Sequence, residues 1–261
     1  PIFKNMIASK KIFHINSSNR LHGTSSDFDI KIDLPKNNEF NRVCVMDISI
    51  PKSYYMVSQG SNTFEIENNV ISVPPGNYSR KSFQTTLNLL LPEGYTVSYN
   101  NTNLEPDIGK FLFSGISETT LSFPSTSRLY ELMGFERQSI NRFIGGHLVS
   151  TNVCNLQQES TLFLHSNLGS NDDNDILLEV FSMANPAFST ISLQVSDIEA
   201  HSRVLTTRNN NNYRFSLQDE NGYPIGLNGL NFVFTLLVYQ QEPVYRMIRG
   251  LIKYNLLLNE Q

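Results

Sequence analysis

The chain has 261 residues, of which 39% are hydrophobic, a formal net charge of −4 and a sequence pI near 5.8. A chain of this length buries roughly three quarters of its unfolded surface, so its core needs no disulfide or metal. The negative charge gives no general attraction to nucleic acid, and no apolar run approaches the roughly 20 residues of a membrane-spanning helix. We therefore expect a globular protein without sequence-specific nucleic-acid binding, a membrane span or a cofactor.

The amino-terminal residues, PIFKNMIASKKIF, lack the apolar core of a signal peptide, so secretion through one is not expected. Their lysines, Lys4, Lys10 and Lys11, form a local basic tip that is either a contact arm or a solvated surface. Cys44 and Cys154 are too few for a disulfide scaffold and form no C-x-x-C, which indicates two reduced, mostly buried thiols.

Short alternating apolar and polar runs, separated by Asn, Ser, Gly and Pro, predict a mainly β protein. The first strand is FDIKIDL at 28–34, and the second is RVCVMDISIP at 42–51. The next stretch, NTFEIENNVISV, predicts a hairpin with its turn at Asn68 and Asn69.

An amphipathic helix follows this hairpin. Its candidate caps are Asn77 and Ser79, Pro92 and Gly94 end it, and its apolar residues recur at helical spacing, namely Phe83, Leu87, Leu90 and Leu91. The runs YTVSYN, KFLFSGI and TTLSFP then predict strands, and a second short helix at 127–133 ends at Gly134. Residues 60–145 therefore form a predicted α+β unit.

Six further strands are predicted after residue 160, in the runs TLFLHS, ILLEVF, TISLQV, HSRVLTT, YRFSLQ and FVFTLLVYQ. With the two early strands they make eight, which indicates a single eight-stranded jelly-roll sandwich built from 1–59 and 146–241. The 60–145 unit is then a small α+β insertion domain between the second and third strands. The alternative is two consecutive β domains divided near Gly145 and Gly146.

The carboxyl-terminal tail, 242–261, carries apolar residues at helical spacing after Pro243, namely Val244, Met247, Ile248, Leu251, Ile252 and Leu256. Such a tail packs either on its own domain or on a neighbouring subunit.

No pattern in the chain predicts a catalytic, cofactor-binding or metal-binding residue. The histidines are scattered, at His14, His22, His147, His165 and His201. No P-loop, G-x-G-x-x-G or G-x-S-x-G is present, and FSGIS has Ser114 and Gly115 in the wrong order for a nucleophile elbow. Acidic pairs such as Glu65 with Glu67 are common in β proteins, so they do not by themselves indicate a glycosidase.

Two stretches resemble the start of a calcium loop, and both lack its later ligands. The run SNDDNDILLEV contains Asp172, Asp173, Asn174 and Asp175 but no correctly spaced glycine and glutamate, so we interpret it as a polar loop before a buried strand at 176–181. The run DENGYPIG contains Asp219, Asn221 and Gly222 and is interpreted as the turn that begins the connection between the last two strands.

The order of several motifs resembles the penton, or minor capsid, proteins of virophages and Polinton (Maverick)-type viruses. The segments are INSSNRLHGTSSDFDIKIDLP, FNRVCVMDISIPKSYYMVSQGSNTFEI, VPPGNYS, LYELMGF and SLQDENGYPIGLNGLNFVFTLLVY, which run from about residue 15 to residue 240.

This resemblance implies a structural virion protein with no enzymatic activity. It implies a single jelly roll with an inserted domain, of which five copies form a homopentamer at each fivefold vertex of an icosahedral capsid, beside the major capsid protein. The protein would be assembled inside the host cell, and the insertion domain would face outward, where a host receptor is a further partner. The contacts between subunits would involve jelly-roll side loops and the segments 1–27 and 242–261.

Two other functions compete with this one. A glycan- or receptor-binding β-sandwich would use aromatic side chains of the insertion, such as Tyr78, Tyr95 and Tyr99, although strand aromatics are more often core residues. A hydrolase on a β fold would need a metal or a nucleophile that the sequence does not indicate.

Overall fold

The computed structural model describes residues 7–34, 40–99, 108–137, 139–157, 160–170, 175–206 and 211–241. The chain divides into two compact units. The first unit combines Pro1–Ser53 with Glu159–Gln261, and the second is Tyr54–Gln158. The chain therefore leaves the first unit once and returns to it. The predicted tail, 242–261, lies outside the described residues.

The described part of the first unit begins with β1 (Ile7–Asn16), a 3-10 turn (Ser17–Asn19), β2 (His22–Gly23), β3 (Asp27–Lys31) and β4 (Arg42–Pro51). The second unit follows with β5 (Thr63–Ile66), β6 (Asn69–Ser72), α1 (Arg80–Leu90), β7 (Thr96–Ser98), β8 (Leu112–Ser114), β9 (Thr120–Ser122), α2 (Leu129–Met133), β10 (Asn141–Arg142) and β11 (His147–Val149). The first unit resumes with β12 (Thr161–Ser166), β13 (Gly169–Ser170), β14 (Ile176–Phe181), β15 (Thr190–Gln194), β16 (Arg203–Leu205), β17 (Asn212–Gln218) and β18 (Val233–Gln241). The predicted mainly β fold with antiparallel sheets is confirmed.

The first unit contains two antiparallel sheets. The first sheet has six strands in the order β1-β18-β4-β16-β13, with β15 also paired to β4. The second sheet has five strands in the order β14-β12-β17-β3-β2. Both sheets therefore combine strands from the two ends of the first unit's sequence.

Aromatic side chains join the inner faces of these two sheets. The rings of Phe215 on β17 and Phe234 on β18 have centroids 5.0 Å apart, and those of Phe28 on β3 and Phe232 are 5.7 Å apart. All four side chains are buried. Alternate residues of β3 and β17 face this core, so the period-two pattern of the sequence places one face of each strand inside the sandwich.

The amino-terminal segment contains a strand, β1, that was not predicted from the sequence. It pairs with β18 from Ile7 opposite Gln241 to Asn16 opposite Val233, so it is an edge strand of the first sheet. Its alternation is weak because an edge strand contributes few buried side chains, and Ile12 is 51% exposed.

Counting β1 also changes the position of the insertion. The second unit follows β4, the fourth strand of the chain, and not the second strand as predicted. The predicted strands TISLQV and HSRVLTT correspond to β15 and β16, which pair with different parts of the same strand, β4. The eight predicted strands therefore did not include β1 or the short strands β2 and β13. They also counted β15 and β16 as two separate positions, although both strands pair with β4.

The second unit has its own core and two small sheets. A four-stranded sheet has the order β10-β9-β5-β6, and a three-stranded sheet has the order β11-β8-β7. Its core contains buried aromatic residues from several of these elements, including Phe64, Phe83, Phe111, Phe113 and Phe143.

The helix cap and the helix end predicted for this unit are confirmed, and the predicted hairpin turn is shifted by one residue. Ser79 caps α1 in a capping box with Ser82, as the candidate cap predicted, and Gly134 ends α2 in the left-handed conformation. The turn of the hairpin between β5 and β6 is formed by Glu67 and Asn68, both with positive φ, one residue before the predicted position.

The second unit is longer at both ends than the predicted segment 60–145. Val57 belongs to its core at one end, and Cys154 and Leu156 pack against this core at the other. Gly145 and Gly146 form a turn that leads into β11, whose partner is β8 of the same unit. Two consecutive β domains divided at this turn would separate β1 and β4 from their partner β18.

Candidate functional site

The five histidines are distributed over both units and form no common site. His14 lies on β1, His22 on β2, His165 on β12 and His147 on β11, whereas His201 lies between β15 and β16. Across the ranges that the structure describes, no three His, Cys, Asp or Glu side chains are grouped so as to hold a metal ion.

The pairing of β8 with β11 places Ser114 opposite His147, with Ser114 Oγ and His147 Nδ1 3.4 Å apart. Both side chains are on an exposed part of the second unit. A serine nucleophile needs a carboxylate that orients its histidine, and no hydrogen bond between His147 and a described carboxylate is present. This contact links two neighbouring strands.

The remaining candidate groups are also separate from each other. Glu65 lies on β5, and Glu67 lies in the following turn. Cys44 and Cys154 are free thiols in different units. Burial raises the pKa of the Cys44 thiol to about 11, so this thiol is protonated at neutral pH.

The candidate calcium residue Asp219 holds a tight turn. Its Oδ1 accepts hydrogen bonds from the backbone N–H groups of Asn221 (2.9 Å) and Tyr223 (2.8 Å). Gly222 adopts φ 78° in this turn. The turn closes where Gln218 meets Pro224, after which the chain crosses from the second sheet to β18 in the first sheet. Asp219 is 2% exposed, so it serves the connection predicted from the sequence.

Replacing Asp219 with alanine is expected to lower the free energy of unfolding by about 1–3 kcal/mol, because two partly buried N–H groups lose their acceptor. Asp219→Asn keeps one side-chain oxygen and is expected to cost less. Thermal unfolding of the parent chain with calcium and with a chelator should give the same melting temperature. A rise in melting temperature with calcium that Asp219→Ala abolishes would contradict this assignment.

Charged side chains cluster on the outer face of the second sheet. Arg214 on β17 makes a bidentate pair with Asp27 on β3, with N–O distances of 2.7 and 2.6 Å, which raises the pKa of the guanidinium. His165 on β12 lies 2.7 Å from Asp175, the one candidate calcium ligand of the run SNDDNDILLEV that lies within the described residues. These pairs connect neighbouring strands across a solvated face.

A buried lysine anchors the loop at residues 182–189. Lys52 is 4% exposed, and its Nζ donates to the carbonyl oxygens of Ser182 (2.9 Å) and Asn185 (2.7 Å). Its backbone N–H and C=O pair with Ser189 and Phe188 in the same loop. Burial lowers the pKa of the Lys52 ammonium. Lys52, the residue that follows β4, therefore contacts this loop at several points along its length.

This Lys52-anchored loop presents large apolar side chains to solvent. Phe188 is 72% exposed and Met183 is 71% exposed, and Phe181 at the end of β14 is also 71% exposed. The sequence predicted 176–181 as a buried strand, which is wrong for Phe181 because this residue lies with Glu179 on the outer face of β14. A rigid loop with exposed apolar groups is typical of a protein-contact surface.

The tyrosines expected to form a glycan site are packed within the second unit. Tyr95 is buried and makes an edge contact with Phe143, with ring centroids 5.4 Å apart. Tyr78 packs against Phe83 and donates from its hydroxyl to the Pro74 carbonyl at 2.6 Å. Tyr99 lies under the guanidinium of Arg80. These contacts do not form a common aromatic platform.

The described part of the basic tip belongs to β1. Lys11 donates to the carbonyl oxygen of Asp33 at 3.2 Å and lies 4.8 Å from the ring centroid of Phe13. Lys10 is exposed on the opposite side of the strand, and Lys4 lies outside the described residues. None of the helices in the described ranges is long and apolar enough to cross a bilayer.

Comparison with known proteins gives matches at the level of structure alone. No protein-family model and no curated protein matches the chain. One similar solved structure is the mavirus penton protein, with 13% identity and a TM-score of 0.42 over 90% of this chain and 100% of that chain. A structure of the Sputnik virophage is similar with 13% identity and a TM-score of 0.39 over 89% of this chain and 98% of that chain. The resemblance stated from the sequence motifs likewise named the penton proteins of virophages.

Proposed function

We propose that the first unit is a single jelly roll and that the second unit is a domain inserted into it. The strand pairs are nested: β1 with β18, β3 with β17, β4 with β15 and β16, and β12 with β14. A long antiparallel hairpin rolled into two sheets gives this nesting, and such a roll is the jelly-roll topology. In this count β15 and β16 together occupy one strand position.

We propose that the protein is a structural virion protein, a penton that forms pentamers at the fivefold vertices of an icosahedral capsid. The nested pairing carries this proposal, because it gives the rolled sandwich with one inserted domain that the sequence resemblance implies. A sandwich of this kind supplies a rigid body, and its loops supply contacts. The function is assembly, with no reaction to catalyse.

A ring of five uses heterologous contacts, so each subunit needs two different and complementary flanks. The Lys52-anchored loop supports one flank, since Met183 and Phe188 are exposed on a fixed backbone. The segments 1–27 and 242–261 remain the proposed sources of the other flank, and residues 17–26 form the connection between β1 and β3 that contains β2. The major capsid protein of the same virion is the expected further partner of the subunit. A host receptor is the expected partner of the inserted domain.

Negative-stain imaging and mass photometry of the purified protein test this function. We expect rings of five, formed either by the protein alone or by protein coexpressed with its major capsid protein. Phe188→Asp should reduce ring formation, whereas Leu89→Asp, a change at an 82% exposed position on α1, should not. A closed dimer or tetramer under both conditions would contradict the proposal.

A glycan-binding module is the competing function. A glycan array separates the two, because a lectin would bind sugars as a monomer and would need an exposed aromatic platform. The packing of Tyr95 in the core gives no support to that function.

A further inference from the structure

The two edges of the sandwich in the first unit are formed by different strands. At one edge, Arg203 Nε on β16 donates to the Ile176 carbonyl oxygen on β14 at 2.9 Å, which links the two sheets there. At the opposite edge, β1 is the last strand of the first sheet, and Lys11 Nζ donates to the Asp33 carbonyl oxygen beyond the end of β3. Residues 175–202 are called the β14 edge below, and residues 7–23 the β1 edge.

The two edges carry charges of opposite sign. The β14 edge contains no Lys or Arg, and its acidic residues are all exposed, namely Asp175, Glu179, Asp197 and Glu199. The β1 edge contains no Asp or Glu, and its exposed basic and histidine residues are Lys10, Lys11, His14, Arg20 and His22. One edge of the subunit is therefore acidic, and the other is basic.

Several of these charges are not paired within the subunit. Among the residues that the structure describes, Lys10, Glu179 and Glu199 form no ion pair. The acidic residues nearest to the β1 edge, Asp27 and Asp33, pair instead with basic residues of β17 and β3. The charges at the two edges are thus accessible to a second molecule.

The register of the first sheet places the opposite charges at the same position along the strands. One row of paired residues crosses the sheet through His14, Thr235, Asp47 and Gln194. A second row crosses it through Lys11, Val238, Val43 and Arg203. The connection with Asp197 and Glu199 joins the ends of these two rows at the β14 edge. Rotation about an axis parallel to the strands preserves this position, so it brings these acids next to the basic residues of another copy.

Exposed apolar side chains accompany the charges at both edges. The β14 edge presents Phe181, Met183 and Phe188. The β1 edge presents Ile12 and Leu21, which are 51% and 50% exposed. Apolar side chains surrounded by charged ones are the usual composition of a protein–protein interface.

We propose that the β14 edge of one subunit docks against the β1 edge of a second copy of this chain, with the axis of the ring along the strands. This inference rests on the proposed function, in which copies form a ring through heterologous contacts. Charge complementarity supports it, because an acidic edge attracts a basic edge, whereas two acidic or two basic edges repel each other. The charges therefore favour a head-to-tail contact over a twofold dimer that joins like edges.

Charge reversal at the two edges tests this contact. Lys10→Glu and Glu199→Lys should each lower the association constant of one contact roughly fivefold to tenfold, because each replaces an attraction with a repulsion. A chain with both changes should regain most of the ring fraction of the parent chain. The matched control is Glu220→Lys, which makes the same change of net charge at an exposed turn after the middle strand β17. It should leave the ring fraction unchanged.

Mass photometry over a series of concentrations measures the assembly, with and without coexpressed major capsid protein, and thermal unfolding checks that each variant is folded. An equimolar mixture of the Lys10→Glu and Glu199→Lys chains should associate more than either chain alone, because the reversed edges attract each other. An effect on folding within one subunit would not produce this rescue.

The outcomes separate this contact from the proposed function. Rings of five that are insensitive to both reversals, or a double variant that assembles no better than the single variants, would overturn the contact and leave the penton function in place. An assembly of another number of subunits that shows the loss and the rescue would support the contact and contradict the pentamer. No assembly under either condition would overturn both.

Discussion

Replacing Phe234 with alanine is expected to lower the free energy of unfolding of the first unit by about 3–5 kcal/mol. This side chain lies between the two sheets, with its ring centroid 5.0 Å from that of Phe215 and 5.6 Å from that of Phe232. The loss of its ring leaves a cavity that two hydrogen-bonded sheets cannot close by moving together. Urea denaturation followed by hydrogen exchange of the β18 amides measures the change.

The matched control for this variant is Phe181→Ala, which removes the same ring from a position that is 71% exposed. Its expected effect is within about 0.5 kcal/mol. Because the chain has two units, one transition cannot be assumed, and exchange rates assign each loss to its unit. Equal destabilisation by the two variants would contradict the placement of Phe234 between the sheets.

Replacing Gly134 with alanine is expected to destabilise the second unit by about 2–4 kcal/mol, from backbone strain together with a steric clash. Gly134 ends α2 with φ 77°, and a Cβ atom there would lie 2.3 Å from the Asn152 carbonyl oxygen. Rotating a side chain cannot relieve this clash, because the obstacle is the backbone carbonyl group of Asn152. Thermal unfolding of the variant measures the combined cost.

Gly94→Ala separates the two contributions. Gly94 also has a positive φ, of 87°, but a Cβ atom at this position would meet nothing within 4 Å. The control variant therefore carries only the strain, about 1 kcal/mol. If both variants lost the same stability, the approach of Asn152 to Gly134 would have no energetic consequence.

Much of the fold could be predicted from local patterns, because the inner faces of the long strands alternate strictly. The run RVCVMDISIP corresponds to β4 residue for residue, and Ser79 caps the predicted helix. The strand β1 was not predicted, because an edge strand with an exposed Ile12 and two lysines lacks a clear buried face. The pairing of β1 with β18 joins residues more than two hundred positions apart, and no local pattern specifies such a partner.

The roles of individual residues could likewise be predicted where their partners are near in the sequence, and could not where the partners are distant. The turn at Asp219 could be predicted, since the Asn-Gly pair and the acidic residue before it act within five residues. The burial of Lys52 could not, because its carbonyl partners lie in a loop that becomes its neighbour only after β4 pairs with β15. The exposure of Phe181 likewise depends on which face of β14 is turned away from the core, and the apolar run ILLEVF alone does not specify that face.

The pairing of β1 and β4 with β18 has a consequence for synthesis of the protein on the ribosome. The second unit is closed by residue 158 and has its own core, so it can fold while translation continues. The first sheet, in contrast, lacks its central strand until residue 241 has left the exit tunnel. Long-range pairing of this kind folds slowly, and β1 has no strand partner in its sheet until β18 has been made. The order of synthesis therefore delays completion of the first sheet until its last strand has emerged.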